Sequence, residues 1–172
     1  MGKITRQEAT EFITKLKALN KNNTNGKILI GGSYRRELLF NSDIDILWVS
    51  KKKEWTIDKP MNTIKLPGVV LETTNGDIHR MTLVEFKNKK ILCDVFVVDK
   101  FVLPFALLYS TGDRDTTLGF RVAAKNKNWL LNQYGLWMRD NPNIRVPGTE
   151  NIKTEQEIFK FFGMEYKEPK FR

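Results

Sequence analysis

The sequence predicts an α+β (mixed α/β) fold with a strand-rich first part and a helical second part. Between residues 27 and 98, short apolar or alternating segments are separated by turn-forming residues, a pattern typical of strands. After residue 98 the apolar residues recur at helical spacing. We therefore expect two lobes, a first one over residues 1–104 and a small, mostly helical C-terminal one over residues 105–172.

Each predicted element has a local signal. Thr5-Arg6-Gln7-Glu8 has the spacing of a capping box, and the apolar residues after it predict a helix over residues 6–20. A glycine turn at residues 31–33 and up to two turns of helix over residues 34–40 come next. Asn75-Gly76-Asp77 is a hairpin signal. The predicted strands cover residues 27–30, 43–49, 69–73, 80–86 and 91–98, and the later helices cover residues 101–109, 115–129 and a segment after a second capping box at 154–157.

Composition excludes several classes of function. One cysteine, Cys93, and one histidine, His79, rule out an intrachain disulfide, a cysteine-rich zinc site and a multi-histidine metal site. We expect His79 to be structural or exposed, and Cys93 to be inert packing. No apolar run is long enough to cross a bilayer, and the first residues lack the apolar core of a signal peptide, so we expect a soluble intracellular protein. The net charge of +9 favours a polyanionic partner.

The chemical signal is a glycine turn followed by a pair of acids. Gly31-Gly32-Ser33 precedes Arg36, and after six more residues Asp43 and Asp45 follow on a predicted strand. Carboxylates at positions i and i+2 of a strand share a face, with Cα atoms roughly 6.6 Å apart, and can share hard cations such as Mg²⁺. Free backbone N–H groups of the turn, a hydroxyl and a guanidinium bind phosphate. Together these groups suit phosphoryl transfer.

Asp94 is the candidate for a third carboxylate, because it interrupts the otherwise apolar strand predicted at residues 91–98. An unpaired carboxylate would be costly to bury there. We expect it to help bind the catalytic metal and to accept the proton of a 3′-hydroxyl. Pairing with an arginine and a position at the sheet edge are the alternatives. Cys93, next to it on the strand, is expected on the opposite face.

These residues resemble the palm of the family X DNA polymerases, in the nucleotidyltransferase superfamily. The resemblance continues beyond the palm: Tyr109-Ser110-Thr111-Gly112 resembles the family's motif beside the sugar of the incoming nucleotide, and Arg121 follows Thr111 at the family's spacing. The segments 131–136 and 154–169 resemble the family's later motifs. About 26 residues precede the palm, so we expect the reduced viral type of this family, without a lyase or helix–hairpin–helix domain.

The resemblance implies a nucleotidyltransferase-type palm with a mixed β-sheet and flanking helices. It implies that Asp43 and Asp45 bind two Mg²⁺ ions, for which Mn²⁺ substitutes, and that Asp94 binds the catalytic one. The other implied site residues are, for the nucleotide, Gly32, Ser33, Arg36, Tyr109 and Gly112, and, for DNA, Arg121, with Lys125 and Lys127 as candidates for phosphate contacts.

The predicted function is gap filling in DNA repair: addition of dNTPs to a 3′-hydroxyl of gapped or primer–template DNA. A DNA ligase and an AP endonuclease would act as functional partners, and we expect a monomer of viral or phage-like origin, in the host cytoplasm or virion. The sequence leaves three alternatives open. They are a template-independent terminal transferase, a nucleotidyltransferase that modifies RNA or protein, and a DNA-binding scaffold with a decayed palm.

Overall fold

The computed structural model describes residues 2–51, 63–74, 76 and 78–172. Its first part contains, in chain order, β1 (Ile4–Thr5), α1 (Arg6–Leu19), β2 (Gly26–Ile30), α2 (Gly32–Arg35), β3 (Phe40–Asn41), β4 (Asp43–Ser50), β5 (Val69–Thr73), β6 (His79–Phe86) and β7 (Lys89–Val98). Its second part contains α3 (Leu103–Thr111), α4 (Arg114–Asn126), β8 (Trp129–Asn132), β9 (Gly135–Met138), a 3₁₀ turn (Thr149–Asn151), α5 (Glu155–Phe161) and a 3₁₀ turn (Pro169–Phe171). The strand-rich first part and the mainly helical second part confirm the predicted class.

A five-stranded sheet with the order β2-β4-β7-β6-β5 forms the centre of the first part. The pair β4–β7 is parallel, and the other three pairs are antiparallel. The sheet is therefore mixed, as predicted. Its central parallel pair places the start of β4 beside the middle of β7, where the predicted acidic residues lie.

Helix α1 covers one face of this sheet. Thr5 and Glu8 form the predicted capping box, in which each side chain accepts a hydrogen bond from the other residue's backbone N–H. The buried face of the helix includes Phe12 and Leu16, which belong to one core cluster with Ile44 of β4 and other inward residues of the sheet. Burying these side chains contributes about 1.5–3 kcal/mol each, and fixes the helix on the sheet.

Helix α3 lies between two further clusters of buried residues. Ala106 packs with Leu47 of β4 and Phe96 of β7 on the second face of the sheet. Phe105 and Leu108 of the same helix belong instead to a core shared with α4, β9 and α5. The predicted boundary between residues 104 and 105 falls near the start of this helix, which contributes to both parts. That boundary stays a prediction.

Local structure departs from the sequence prediction at two places. Helix α2 is one turn long and ends at Arg35, since Glu37 adopts a positive φ of 65° that a helix cannot continue through. The second part also contains an antiparallel hairpin, β8–β9. The helix predicted over residues 115–129 therefore ends earlier, at Asn126, and Trp129 begins strand β8. Of the predicted turn at residues 75–77, Asn75 and Asp77 lie outside the described residues.

Candidate active site

The parallel pairing of β4 and β7 brings together the three predicted acidic residues. Asp45 and Asp94 are direct partners in the strand register, and Asp43 lies two residues before Asp45 on the same face of β4. Cys93 points to the opposite face, where it is fully buried among the residues packed under α1. The alternation that the sequence predicted for both strands is therefore present, and it places the three carboxylates on one face.

The carboxylates repel one another in a partly dehydrated setting. Burial raises the pKa of Asp43, the charge of Asp94 raises it further, and Arg36 opposes both effects. Burial, followed by the charges of Asp43 and Asp94, raises the pKa of Asp45 to about 7. Burial also raises the pKa of Cys93 to about 12, so its thiol stays protonated and unreactive. The site thus concentrates negative charge that a cation would neutralise.

The glycine turn lies directly against the acidic pair. Gly32 has a positive φ of 61°, and a Cβ added there would come within 1.8 Å of Asp45 Oδ2. Only glycine allows this approach. Ser33, the next residue, donates a hydrogen bond of 2.8 Å from its hydroxyl to Asn41 Oδ1, and this hydroxyl would have to turn away from Asn41 to donate to a phosphate oxygen.

Two arginines connect this turn to the end of α3. Arg36 Nη1 donates a hydrogen bond to the carbonyl oxygen of Thr111, and Arg35 Nη1 donates one of 2.6 Å to Thr111 Oγ1. Gly112 follows, and a Cβ on it would lie 2.9 Å from Arg36 Nη1. Ser33, Arg36 and Gly112, which the sequence assigned to the nucleotide, therefore lie around one turn and one helix end.

The remaining predicted residues extend from this region along α4. Tyr109 packs edge-on against Phe96, with ring centroids 6.1 Å apart, and the guanidinium of Arg121 lies 5.2 Å from the Tyr109 ring centroid. Arg121, Lys125 and Lys127 are all exposed. Lys127 lies at the helix end, where its ammonium is 5.1 Å from the centroid of the Trp129 ring. The predicted DNA-binding side chains thus lie on α4 or at its end, next to the predicted sugar-binding tyrosine.

Sequence reasoning missed one side chain of the site, His79. Its Nε2 lies 2.6 Å from Asp94 Oδ1, and its ring stacks on Phe96 with a centroid distance of 4.3 Å and an interplanar angle of 5°. The expectation of a structural or exposed histidine was thus incomplete, because the half-exposed side chain contacts a predicted catalytic carboxylate. A lone histidine on an alternating strand carries no signal of this contact, which depends on the register between β6 and β7.

The donor chemistry of the acidic site fits a divalent hard cation. Its donors are carboxylate oxygens, the ligands that Mg²⁺ prefers, and the pKa of Asp45 is raised by burial and then by the charges of Asp43 and Asp94, a repulsion that a bound cation would relieve. Across the residues that the structure describes, no group of three or more His, Cys, Asp or Glu side chains could hold a metal ion as it stands.

Comparison with known proteins agrees with this geometry. The sequence model of the nucleotidyltransferase domain matches residues 10–109, and that of the DNA polymerase beta thumb matches residues 106–172. The Repair DNA polymerase X of an African swine fever virus isolate (Pig/Kenya/KEN-50/1950) is 30% identical over 158 residues, which cover 91% of this chain and 84% of the viral protein. The chain belongs to the family X DNA polymerases. This family X repair polymerase is a nucleotidyltransferase, as the sequence motifs predicted.

More distant members of the family cover almost the whole of this polymerase. Rat DNA polymerase lambda is 22% identical over 98% of this chain, which corresponds to 33% of the rat protein. Crystal structures of Leishmania infantum polymerase beta share the fold, as a ternary P/T complex (TM-score 0.77, 23% identity, 99% of this chain and 77% of that chain) and as a ternary gap complex (TM-score 0.79, 22% identity, 99% and 71%). No helix among the described residues of this family X polymerase is long and apolar enough to span a membrane.

Proposed function

We propose that this polymerase fills short gaps in DNA by adding dNTPs to a primer 3′-hydroxyl. The observation that supports the proposal best is the register of β4 and β7, which sets Asp45 directly beside Asp94 with Asp43 on the same face. The turn at Gly32, which we propose binds phosphate, lies against the carboxylate of Asp45. A pair of acidic residues alone occurs in many proteins. Nucleotidyl transfer requires carboxylates that bind metal ions next to backbone and side-chain groups that bind the phosphates, and this site combines both.

In the proposed reaction, the 3′-oxygen forms a bond to the α-phosphorus of the dNTP as the bond from that phosphorus to the leaving pyrophosphate breaks. Asp94 accepts the proton of the 3′-hydroxyl. Ser33, Arg36 and the backbone at Gly32 bind the triphosphate, while Tyr109 and Gly112 pack the deoxyribose. Two Mg²⁺ ions held by Asp43 and Asp45, one of them also by Asp94, with Mn²⁺ as a substitute, would stabilise the charge that develops on the phosphoryl oxygens.

The proposed DNA substrate is a gapped or primed duplex. Exposed Arg121, Lys125 and Lys127 on or next to α4 provide the phosphate and groove contacts, and the net charge of +9 supports a polyanionic partner. The ternary gap complex of the Leishmania enzyme supports the same substrate class for this fold. Since gap filling neither opens a strand nor seals a nick, a DNA ligase and an AP endonuclease are proposed as functional partners.

Primer extension on a duplex with a one-nucleotide gap tests the proposal, with each dNTP supplied separately and Mg²⁺ present. We expect incorporation that matches the template base and that Asp43→Asn abolishes. Glu72→Gln, which removes an exposed charge on edge strand β5, is the matched control and should behave as wild type. Extension that ignores the template would show terminal transfer instead, and no extension by folded protein would reject DNA as the acceptor.

A further inference from the structure

His79, the single histidine of the chain, is held next to Asp94 by strand register. It pairs with Phe96 across the antiparallel strands β6 and β7, so Asp94, two residues from Phe96, is its diagonal neighbour on the same face. Diagonal neighbours lie within reach of aromatic side chains. The separation of 2.6 Å between Nε2 and Asp94 Oδ1 is that of a short hydrogen bond.

The orientation of the imidazole ring is fixed independently of this hydrogen bond. The ring lies parallel to Phe96, with an interplanar angle of 5° and centroids 4.3 Å apart. Phe96 itself is 3% exposed and belongs to the core under α3, which limits its own movement. The stack therefore presents Nε2 to the carboxylate before any ligand binds.

The hydrogen bond from His79 occupies one oxygen of the Asp94 carboxylate and leaves the second oxygen for other ligands. Nε2 engages Asp94 Oδ1, and no described residue forms a hydrogen bond with Oδ2. Groups that hydrogen-bond a metal-ligating side chain orient it, and their removal typically costs about 10- to 100-fold in metal affinity or activity. Mg²⁺ prefers oxygen ligands, so a direct ligand role for the imidazole is less suited to this site.

We propose that His79 is a positioning residue for Asp94: Nε2 donates to Oδ1, and Oδ2 is left for the cation and the primer 3′-hydroxyl. This inference rests on the proposed role of Asp94 in catalysis. It adds to the site a side chain that none of the predicted motifs contains. It also assigns the Nε2–H tautomer to the only imidazole in the protein.

Three substitutions separate the hydrogen bond from the packing of the ring. His79→Gln keeps an N–H donor at a similar reach, His79→Phe keeps the stack on Phe96 without a donor, and His79→Ala removes both. Glu85→Gln, on an exposed position of the same strand, is the matched control. Thermal denaturation of each variant would identify any that fails to fold.

The first readout does not depend on turnover. Selective ¹⁵N-histidine labelling gives a spectrum of a single residue, and we expect a proton on Nε2 whose signal shifts in Asp94→Ala. Binding of Mn²⁺, followed by electron paramagnetic resonance, should weaken about 10- to 100-fold in His79→Ala and His79→Phe. In His79→Gln it should stay within about fivefold of wild type, because the donor is retained.

Single-nucleotide incorporation supplies the second readout. We expect kcat to fall about 10- to 100-fold in the alanine and phenylalanine variants, with little change in KM for the dNTP, and the glutamine variant to recover most of the rate. Wild-type kcat and Mn²⁺ affinity in His79→Ala would overturn the proposal, as would a bare Nε2 in the spectrum. If Asp94→Asn is inactive while all His79 variants behave as wild type, only this inference fails. An active Asp94→Asn would instead reject the proposed function of the site.

Discussion

Replacing Asp45 by asparagine tests the electrostatics of the acidic site through stability as well as activity. Asparagine has nearly the same shape as aspartate, so the close contact with Gly32 is retained while the charge is removed. Incorporation should be abolished, with little loss of DNA affinity, because a metal ligand is removed but the exposed cations of α4 are untouched. The less obvious consequence is that the metal-free protein should become more stable.

The magnitude follows from the pKa of Asp45, which burial and the neighbouring charges of Asp43 and Asp94 raise from 3.8 to about 7. At about 1.36 kcal/mol per pKa unit, this corresponds to an upper bound of about 4 kcal/mol, and solvent relaxation reduces it to about 2 kcal/mol. A raised folded-state pKa contributes stability that is fully present below pH 4 and is lost as the pH rises through about 7. Asparagine does not ionise, so the variant does not lose this stability as the pH rises.

Thermal denaturation in EDTA, between pH 5 and pH 8, measures the effect. At pH 8 we expect the Tm of Asp45→Asn to exceed that of wild type by about 4–8 °C, and the difference to shrink towards pH 5. Asp115→Asn, which removes an exposed carboxylate from α4, should change the Tm by little at any pH. An Asp45→Asn protein that is no more stable than wild type at pH 8, or a gain that does not depend on pH, would refute the reasoning that burial and charge repulsion raise the pKa of Asp45.

Three further predictions address the turn, the ion pair of α5 and DNA binding. Gly32→Ala should reduce incorporation at least about 100-fold and destabilise the protein by about 1–2 kcal/mol, because its Cβ meets the Asp45 carboxylate; Gly119→Ala, where a Cβ meets open space on α4, should instead be neutral or stabilising by up to about 1 kcal/mol. Equal effects of the two alanines in activity and urea-unfolding assays would contradict this reading. Glu155→Ala leaves the fully buried Arg172 side chain without its carboxylate partner at 2.8 Å and removes the same carboxylate from Arg35 at 2.5 Å; it should lower the Tm by about 6–20 °C, the equivalent of about 3–5 kcal/mol, and an unchanged Tm would show that Glu155 contributes no ion-pair stability. DNA affinity, measured by fluorescence anisotropy, should fall about 10- to 150-fold between 50 and 200 mM salt, the response of about two to four phosphate contacts, and a flat response would exclude phosphate contacts as its source.

Local sequence patterns predicted the main elements of the first part and the faces of its strands, whereas the β8–β9 hairpin was not predicted. The alternation of β4 set Asp43 and Asp45 on one face. The single charged residue in the otherwise apolar part of β7 identified Asp94 as a candidate functional residue. Cys93 was correctly assigned to the opposite, buried face. Such predictions succeed because side-chain direction along a strand has a period of two residues, which neighbours in sequence fully determine. Helix α2 was overestimated, because the positive φ of Glu37 that ends it has no residue-type signal.

The sequence by itself thus determined the order of the main strands and helices apart from the β8–β9 hairpin, the charge, the motifs of family X and which side of each strand bears acids. Only the tertiary structure decided which of these residues meet. Arg36 contacts Thr111 across 75 residues, and Asp94 faces His79 rather than an arginine. These contacts depend on the register between strands and on how α3 packs on the sheet, and one residue of slip would reverse every side chain of a strand. Register is fixed by burial summed over the whole sheet, so no local pattern of residues specifies it.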